Sequence, residues 1–84
     1  MVVQFIDKCR AGLPSLETAL AAAEFDTLRV SGHRLKGTGA AYGFPPLTDI
    51  GAAIEQAARA RNAGELRSRI AELEEYLGSV EVVV

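Results

Sequence analysis

Several residue types are scarce in this chain of 84 residues, and each scarcity excludes a class of protein. One cysteine cannot form an internal disulfide, and a single thiol fits a reducing compartment. A formal net charge of -2 without a basic patch argues against a nucleic-acid-binding domain. The sequence shows no signal peptide and no apolar run long enough to span a membrane, so we expect a soluble, cytoplasmic protein or a domain of a larger cytoplasmic one.

Alanine and leucine are abundant, whereas aromatic residues are few, which favours a helical bundle over a β-sandwich. The length predicts a single domain over residues 1–84. A chain of this size buries only roughly 60–65% of its unfolded surface, so it needs an efficient core. Its hydrophobic content of 49% is sufficient for one.

Apolar residues recur at helical spacing in four segments that are separated by short joints. The first segment predicts one helix from Val2 to Glu24, bent at Pro14, because its apolar register does not shift; the alternative is two short helices that meet at Gly12-Leu13-Pro14. Short joints make successive helices antiparallel neighbours, so the fold class is predicted as an all-α, antiparallel up-down four-helix bundle. The predicted inward faces are Val2, Phe5, Cys9, Leu13, Leu16, Leu20 and Ala23; Leu28, Gly32, Leu35, Gly39 and Tyr42; Leu47, Ile50, Ile54 and Ala57; and Leu66, Ile70, Leu73, Leu77 and Val80.

Local signals predict where the later helices begin and end. Asp26 is a good N-cap for a second helix from about Thr27 to Tyr42, which Gly43 would terminate. Pro45-Pro46 would occupy the first turn of a third helix that ends near Asn62-Ala63-Gly64. The tail, residues 80–84, is β-branched and fits a helix poorly; frayed ends, pairing with another chain and a domain boundary are the alternatives for it.

The only histidine, His33, lies on the second predicted helix and points away from the inward face. Its neighbours on the outer face are the small or apolar residues Val30, Gly37 and Ala40. Glycine costs roughly 1 kcal/mol relative to alanine inside a helix, so Gly37 calls for an explanation. We interpret Gly37 as a residue that keeps the imidazole of His33 accessible, because a position without a side chain lets another molecule approach the ring.

These residues belong to a longer pattern. The run His33-Arg34-Leu35-Lys36-Gly37, followed by Gly43, Leu47 and Ile54-Glu55, resembles the signature of histidine-containing phosphotransfer (HPt) domains. The close resemblance covers residues 33–55, and the rest of the chain is similar only in helical pattern. The N-terminal part is short for the family, which leaves open a missing helix or a dimer that supplies it, and isoleucine stands at position 54 where leucine is commoner.

The resemblance implies roles for seven residues. An unperturbed imidazole has a pKa near 6.5, so much of it is an unprotonated nucleophile at neutral pH. The catalytic set is His33 as phosphoacceptor, Lys36 as counter-charge for the phosphoryl group and Gly37 for access; the residues expected to dock the partner are Arg29, Val30, Ala40 and Phe44.

The implied function is that of a phosphocarrier in a two-component phosphorelay, which accepts a phosphoryl group on His33 from a receiver-domain aspartate and passes it to another receiver. The resemblance implies no ATP site, no autonomous kinase activity and no cofactor, since the Mg²⁺ belongs to the receiver. The implied partners are response-regulator receiver domains and a hybrid sensor kinase, with no nucleic acid and no membrane, and the chain is expected to be a monomer, with a dimer as the alternative. The rival interpretation is a helical protein-interaction or kinase-docking module that carries no phosphate. A buried His33 ring would favour this rival.

Other candidate sites are better explained structurally. Cys9 lies on an apolar stripe and is predicted to be a small core residue, and one cysteine with one histidine cannot form a tetrahedral metal site. The glycines at 37, 39 and 43 do not have the spacing of a dinucleotide-binding loop, and no strand precedes them. Glu72, Glu74 and Glu75 are predicted to form a solvated face.

Overall fold

The computed structural model describes residues 2–79, with side chains from residue 4 onward, and consists of four helices. They are α1 (Val2–Ala21), α2 (Phe25–Ala41), α3 (Pro45–Arg59) and α4 (Ala63–Ser79). Helix α1 contacts α2 and α4, and α3 contacts the same two helices, so the four helices form a closed ring around one core. The predicted four-helix bundle is confirmed. The expectations for the tail, for Val80 and for the side chain of Val2 lie outside the described residues.

Contacts between the helices show that neighbours run antiparallel. Gly39, near the end of α2, lies against Leu47 at the start of α3, whereas Gly32, earlier in α2, lies against Glu55. The guanidinium of Arg10, in the first half of α1, donates to the carbonyl of Leu77 near the end of α4, at 2.7 Å from Nη2. That carbonyl belongs to the last turn, where helix carbonyls lack intrahelical partners, so Arg10 caps α4 from a neighbouring helix.

The core draws on all four helices, and the predicted faces of α3 and α4 are confirmed. Its buried apolar residues are Phe5, Ile6, Ala19, Leu28, Leu47, Ile50, Ile54, Ala57, Ala58, Leu66, Ile70, Leu73 and Leu77. The prediction for α1 is partly wrong, because Ile6 and Ala19 are buried while Cys9, Leu13, Leu16 and Leu20 lie at the edge of the core. Leu35 also packs only at that edge. Tyr42, predicted to be inward, is 47% exposed, with its ring stacked on Phe5 at 4.4 Å.

The first helix runs through Pro14 without interruption, so the prediction of one helix is confirmed and that of two short helices is wrong. It ends at Ala21 rather than Glu24 because Ala23 adopts a left-handed conformation with φ of 56°. Asp26 is not the N-cap of α2: that position is Glu24, and Asp26 lies within the first turn. A carboxylate there still stabilises the helix through its dipole.

All three joints use the same backbone hydrogen-bond pattern, a Schellman motif. At the end of α2, Phe44 donates to the carbonyl of Gly39 and Gly43 to that of Ala40, with Gly43 at φ of 77°. The predicted role of Gly43 is therefore confirmed. The corresponding left-handed residues after α1 and α3 are Ala23 and Arg61, neither of which is glycine.

The third helix ends at Arg59, earlier than predicted, and Asn62 starts the next helix instead of ending this one. The Asn62 side chain accepts a hydrogen bond from the amide of Glu65 at 3.1 Å, which is the geometry of an N-cap. Its backbone carbonyl accepts from the amide of Leu66 at 3.0 Å. Asn62 thus fixes the residue at which α4 begins.

Helices α2 and α3 approach each other most closely where glycines face them. A Cβ on Gly32 would lie 2.6 Å from the amide nitrogen of Glu55, and one on Gly51 would lie 2.5 Å from that of Lys36. A Cβ on Gly39 would meet the backbone of Thr48 at 2.8 Å. None of these positions has room for a side chain, so the inward roles predicted for Gly32 and Gly39 are confirmed. The close approach brings the His33 face of α2 next to α3.

Candidate functional site

His33 lies in the middle of α2 with its side chain 66% exposed, on the edge of the helix that faces α3. Its Nδ1 atom is 3.2 Å from Oε2 of Glu55, which belongs to α3. The ring is therefore held at one nitrogen and open to solvent over most of its surface. A buried ring would have favoured a structural role, and the observed exposure favours a reactive one.

Glu55 is the centre of a small ionic cluster. Its side chain is only 4% exposed, yet both carboxylate oxygens are engaged. Lys36 Nζ donates to Oε1 at 3.0 Å, and Arg59 Nη2 donates to Oε2 at 3.2 Å. Lys36 lies one turn after His33 on α2, and Arg59 lies one turn after Glu55 on α3. One buried carboxylate thus gathers the histidine and two cations from two helices.

The cluster keeps this carboxyl group ionised. The hydrogen bond from Lys36 lowers the pKa of Glu55, and the positive charges of Lys36, His33 when protonated, and Arg59 act in the same direction. Burial opposes them, because it penalises the charged form, but the net shift is downward. At neutral pH the group facing Nδ1 is therefore a carboxylate.

The charge on Glu55 decides the tautomer of the histidine. An ionised carboxylate can only accept hydrogen bonds, so the ring nitrogen that contacts it must carry the proton. In the neutral ring the lone pair then resides on Nε2, the nitrogen that Glu55 does not contact. The arrangement presents a nucleophilic nitrogen whose orientation is set by a partner that is itself fixed by two cations.

Next to the ring, the surface of α2 is nearly bare. Apart from its own helix backbone, no heavy atom lies within 4 Å of the Cβ position at Gly37, and Ala40 one turn further is exposed. Val30 is exposed on the other side of His33, and Arg29 is half-buried. The result is an open strip along α2 on which a second molecule could reach the ring without meeting a long side chain.

Phe44, also predicted to dock a partner, lies beyond the C-terminal end of this strip. It is half-buried just beyond α2, and its ring centroid is 5.7 Å from that of Phe5. With Tyr42 and Phe5 it forms an aromatic cluster between the C-terminal end of α2 and the start of α1. The structure therefore places His33, Lys36, Gly37, Ala40 and Val30 on one surface and Phe44 at its end.

The sequence interpretation missed two members of the cluster as site residues. In the sequence, Glu55 enters only as the second residue of the Ile54-Glu55 pair in the HPt-like pattern, and nothing singles out Arg59. The signal for Glu55 was present, because it follows Ile54 on the inward half of α3, where an ionisable residue is expected to have partners. Arg59 stands four residues after it, at the spacing at which helical ion pairs form.

Cys9 carries the only thiol of the chain. Cys9 is half-buried, and burial raises the pKa of its thiol, so it is a poor nucleophile. It lines an apolar groove of about 470 Å³ between α1 and α2, together with Phe5, Leu16 and Leu35.

Within residues 2–79, no group of three or more histidine, cysteine, aspartate or glutamate side chains could hold a metal ion. None of the four helices is long and apolar enough to cross a membrane.

Comparison with known proteins identifies one family. A family model described as the Hpt domain matches residues 1–82, which is nearly the whole chain. Searches of curated proteins and of solved structures returned no match. The family match extends well beyond the residues around His33, so it rests on all four helices.

Proposed function

The chain belongs to the Hpt domain family, whose members carry phosphoryl groups on histidine in two-component phosphorelays, and from this we propose that His33 is the phosphoacceptor. It would receive a phosphoryl group from the aspartyl phosphate of one receiver domain and pass it to the aspartate of another. The observation that carries the proposal is an exposed imidazole held at Nδ1 by Glu55, 3.2 Å away. It is also the only histidine of the chain.

The proposed step needs no proton transfer to or from solvent. The Nε2 lone pair attacks phosphorus, a P–N bond forms, and the P–O bond to the receiver's aspartate breaks with its electrons leaving on the carboxylate. Passing the group onward reverses these changes at a second aspartate. Phosphoryl transfer depends mainly on positioning and on stabilising charge, which suits a site with an oriented ring and no acid–base pair.

Two cations lie close to the histidine through the carboxylate that they share with it. Lys36 and Arg59 are held by Glu55 beside the His33 ring, and their side chains are 40% and 57% exposed. We assign both as counter-charges for the phosphoryl oxygens, Lys36 from α2 and Arg59 from α3. In this proposal the chain itself needs no cofactor, and the Mg²⁺ of the reaction is supplied by the receiver.

The docking surface would be the open strip on α2. Val30 supplies exposed apolar area, Arg29 supplies charge, and Gly37 and Ala40 leave the approach to the ring clear. Phe44, at the end of this surface, would contact the rim of a receiver. A hybrid sensor kinase is the proposed source of the phosphoryl group, and the chain would act as a monomer in the cytoplasm.

The experiment is to incubate the protein with a panel of phosphorylated receiver domains and Mg²⁺ and to measure label on the chain. We expect label that is labile in acid and stable in base, as a phosphohistidine is. The His33→Gln variant should accept none while keeping the parent's melting temperature, because the ring contributes little to the core. Arg67→Gln, an exposed change on α4, is the matched control and should transfer like the parent.

Two results would overturn the proposal. If the His33→Gln protein still accepts label, the phosphoacceptor is another residue. If the parent binds a kinase or receiver and accepts no label from any phosphorylated receiver, the chain is a docking module that keeps the bundle without carrying phosphate.

A further inference from the structure

Glu55 faces the histidine nitrogen that the proposed reaction does not use. The contact joins Nδ1 to a carboxylate that is buried, ionised and shared with two cations. Orienting the ring would require only a hydrogen-bond acceptor, which an amide could also supply. A carboxylate also adds a negative charge, which can act on the ring once the ring carries a phosphoryl group.

Resting on the proposed function, we propose that Glu55 is a positioning residue that keeps Nδ1 protonated after phosphorylation, so that phosphorylated His33 is held in its readily transferred form. The ring phosphorylated on Nε2 and protonated on Nδ1 is cationic. A carboxylate 3.2 Å from Nδ1 stabilises that cation by charge as well as by hydrogen bonding, whereas a neutral partner supplies only the hydrogen bond.

The chemistry of the leaving group explains why the proton matters. When the phosphoryl group leaves a ring that is protonated on Nδ1, the P–N electron pair remains on Nε2 and the product is neutral imidazole. When Nδ1 has lost its proton, the same cleavage would expel an imidazolate anion, a far poorer leaving group. The neutral imidazole formed in the first case is also the resting tautomer that Glu55 selects. The proton therefore stays on one atom while the carrier is loaded and unloaded.

The surroundings of the ring fit this assignment. The charged groups that contact Glu55 beside the ring are Lys36 from α2 and Arg59 from α3. A phosphoryl group on Nε2 would draw both cations toward its oxygens, since each side chain is flexible and partly exposed. If the contacts of Lys36 and Arg59 with Glu55 weaken, Nδ1–H becomes the main hydrogen-bond donor to the buried carboxylate. The His33–Glu55 hydrogen bond should therefore strengthen when His33 is phosphorylated.

The test compares the parent with Glu55→Gln, which can still accept from Nδ1–H but carries no charge. Both proteins are phosphorylated with phosphoramidate, from which ammonia leaves as the P–N bond to the ring forms. The decay of the phosphohistidine signal is then followed by ³¹P NMR from about pH 5 to pH 10. At about pH 8 we expect the variant's phosphohistidine to decay roughly three- to tenfold more slowly than the parent's, the scale of one nearby charge on a protonation equilibrium. The two should converge in acid, where both rings are protonated.

Gln56→Ala, an exposed change next along α3, is the matched control and should reproduce the parent's profile. A purely structural role for Glu55 would lower the melting temperature of the variant without moving its decay profile along the pH axis. Superimposable profiles for parent and Glu55→Gln would overturn the inference while leaving His33 as phosphoacceptor. No phosphohistidine on the parent at any pH would instead overturn the proposed function itself.

A second measurement needs no variant. In the parent labelled with ¹⁵N, the ring nitrogens report the tautomer directly, and we expect the proton on Nδ1 both before and after phosphorylation at neutral pH. A resting ring protonated on Nε2 alone, or a phosphorylated ring without a proton on Nδ1, would contradict the inference even if the Glu55→Gln protein failed to fold.

Discussion

Gly32 on α2 lies directly against the backbone of Glu55 on α3, so close that a Cβ at Gly32 would be 2.6 Å from the Glu55 amide nitrogen. The residue that permits this approach is one position before His33, and the residue it approaches is the one that contacts the His33 ring. The packing of two helices and the geometry of the site therefore depend on the same missing side chain.

The first prediction contrasts two helix-interior glycines. Gly32→Ala should destabilise the fold by about 1–3 kcal/mol, as overpacking of a tight contact does, because backbone atoms of α3 cannot give way. Gly12→Ala should instead stabilise it by up to about 1 kcal/mol, since a Cβ there would meet no atom of another helix within 4 Å and alanine is the better helix former. Urea unfolding of both variants checks this, and a shift of the same sign in the two would refute the assigned packing.

The second prediction concerns Gly37, whose surroundings are open. Gly37→Ala should raise the free energy of unfolding by up to about 1 kcal/mol and yet slow transfer from a phosphorylated receiver. Gly37→Leu should nearly abolish transfer, because its side chain would occupy the approach to His33. Melting curves and transfer time courses for the parent and both variants give the answer. Transfer by Gly37→Leu at the parent's rate would mean that this position guards no access.

The third prediction is a pH dependence of stability. The pKa of Glu55 is lowered in the folded protein, chiefly by the hydrogen bond from Lys36, so the unfolded chain binds a proton there more readily than the folded one. The corresponding stability is present above the unfolded-state pKa of about 4.3 and is lost as the pH falls through the lower folded-state value. Parent and Glu55→Gln should therefore differ in the slope of unfolding free energy below about pH 5. Parallel slopes in urea titrations across this range would argue against a pKa shift at Glu55.

The fourth prediction addresses the joints. Ala23→Gly should stabilise the fold by up to about 1 kcal/mol, because alanine at φ of 56° carries a steric cost that glycine avoids. Gly43→Ala should destabilise it by a similar amount at the equivalent position after α2. Thermal unfolding of the two variants, with Gly12→Ala as a control for glycine changes outside joints, tests the sign of each. A Gly43→Ala protein as stable as the parent would contradict the strain argument.

The sequence predicted the bundle and the inward faces of α3 and α4 because their stripes combine helical period with leucine and isoleucine. It predicted α1 less well, since alanines and one cysteine share that helix, and such small residues leave the angle of the buried stripe ill-defined. Ile6 and Ala19 were missed for that reason. The end of α2 and the start of α3 were predicted because Gly43 and Pro45 mark them. The ends of α1 and α3 were not, because Ala23 and Arg61 adopt left-handed conformations that are uncommon for their residue types.

For the candidate site, features within one helix could be predicted from the sequence, whereas contacts between two helices could not. The helical spacing predicted His33 and Gly37 on the outer face of one helix, and both positions are exposed on α2. The contacts of Glu55 could not be predicted from one helix alone, since they depend on the rotation of α3 against α2. The glycines at 32 and 51 fix that rotation, and their effect becomes visible only when both backbones are in place.

The groove of about 470 Å³ that separates α1 from α2 has a consequence for how the molecule opens. Regions with few buried contacts exchange their amide hydrogens through local fluctuations, whereas tightly packed regions exchange only when the whole domain unfolds. We therefore expect the amides of α1 to exchange earlier than those of α2 and α3 on either side of Gly32 and Gly51, which should exchange last. The contact between α2 and α3 would then persist while α1 detaches locally. The histidine and its carboxylate would therefore keep their relative positions during such openings.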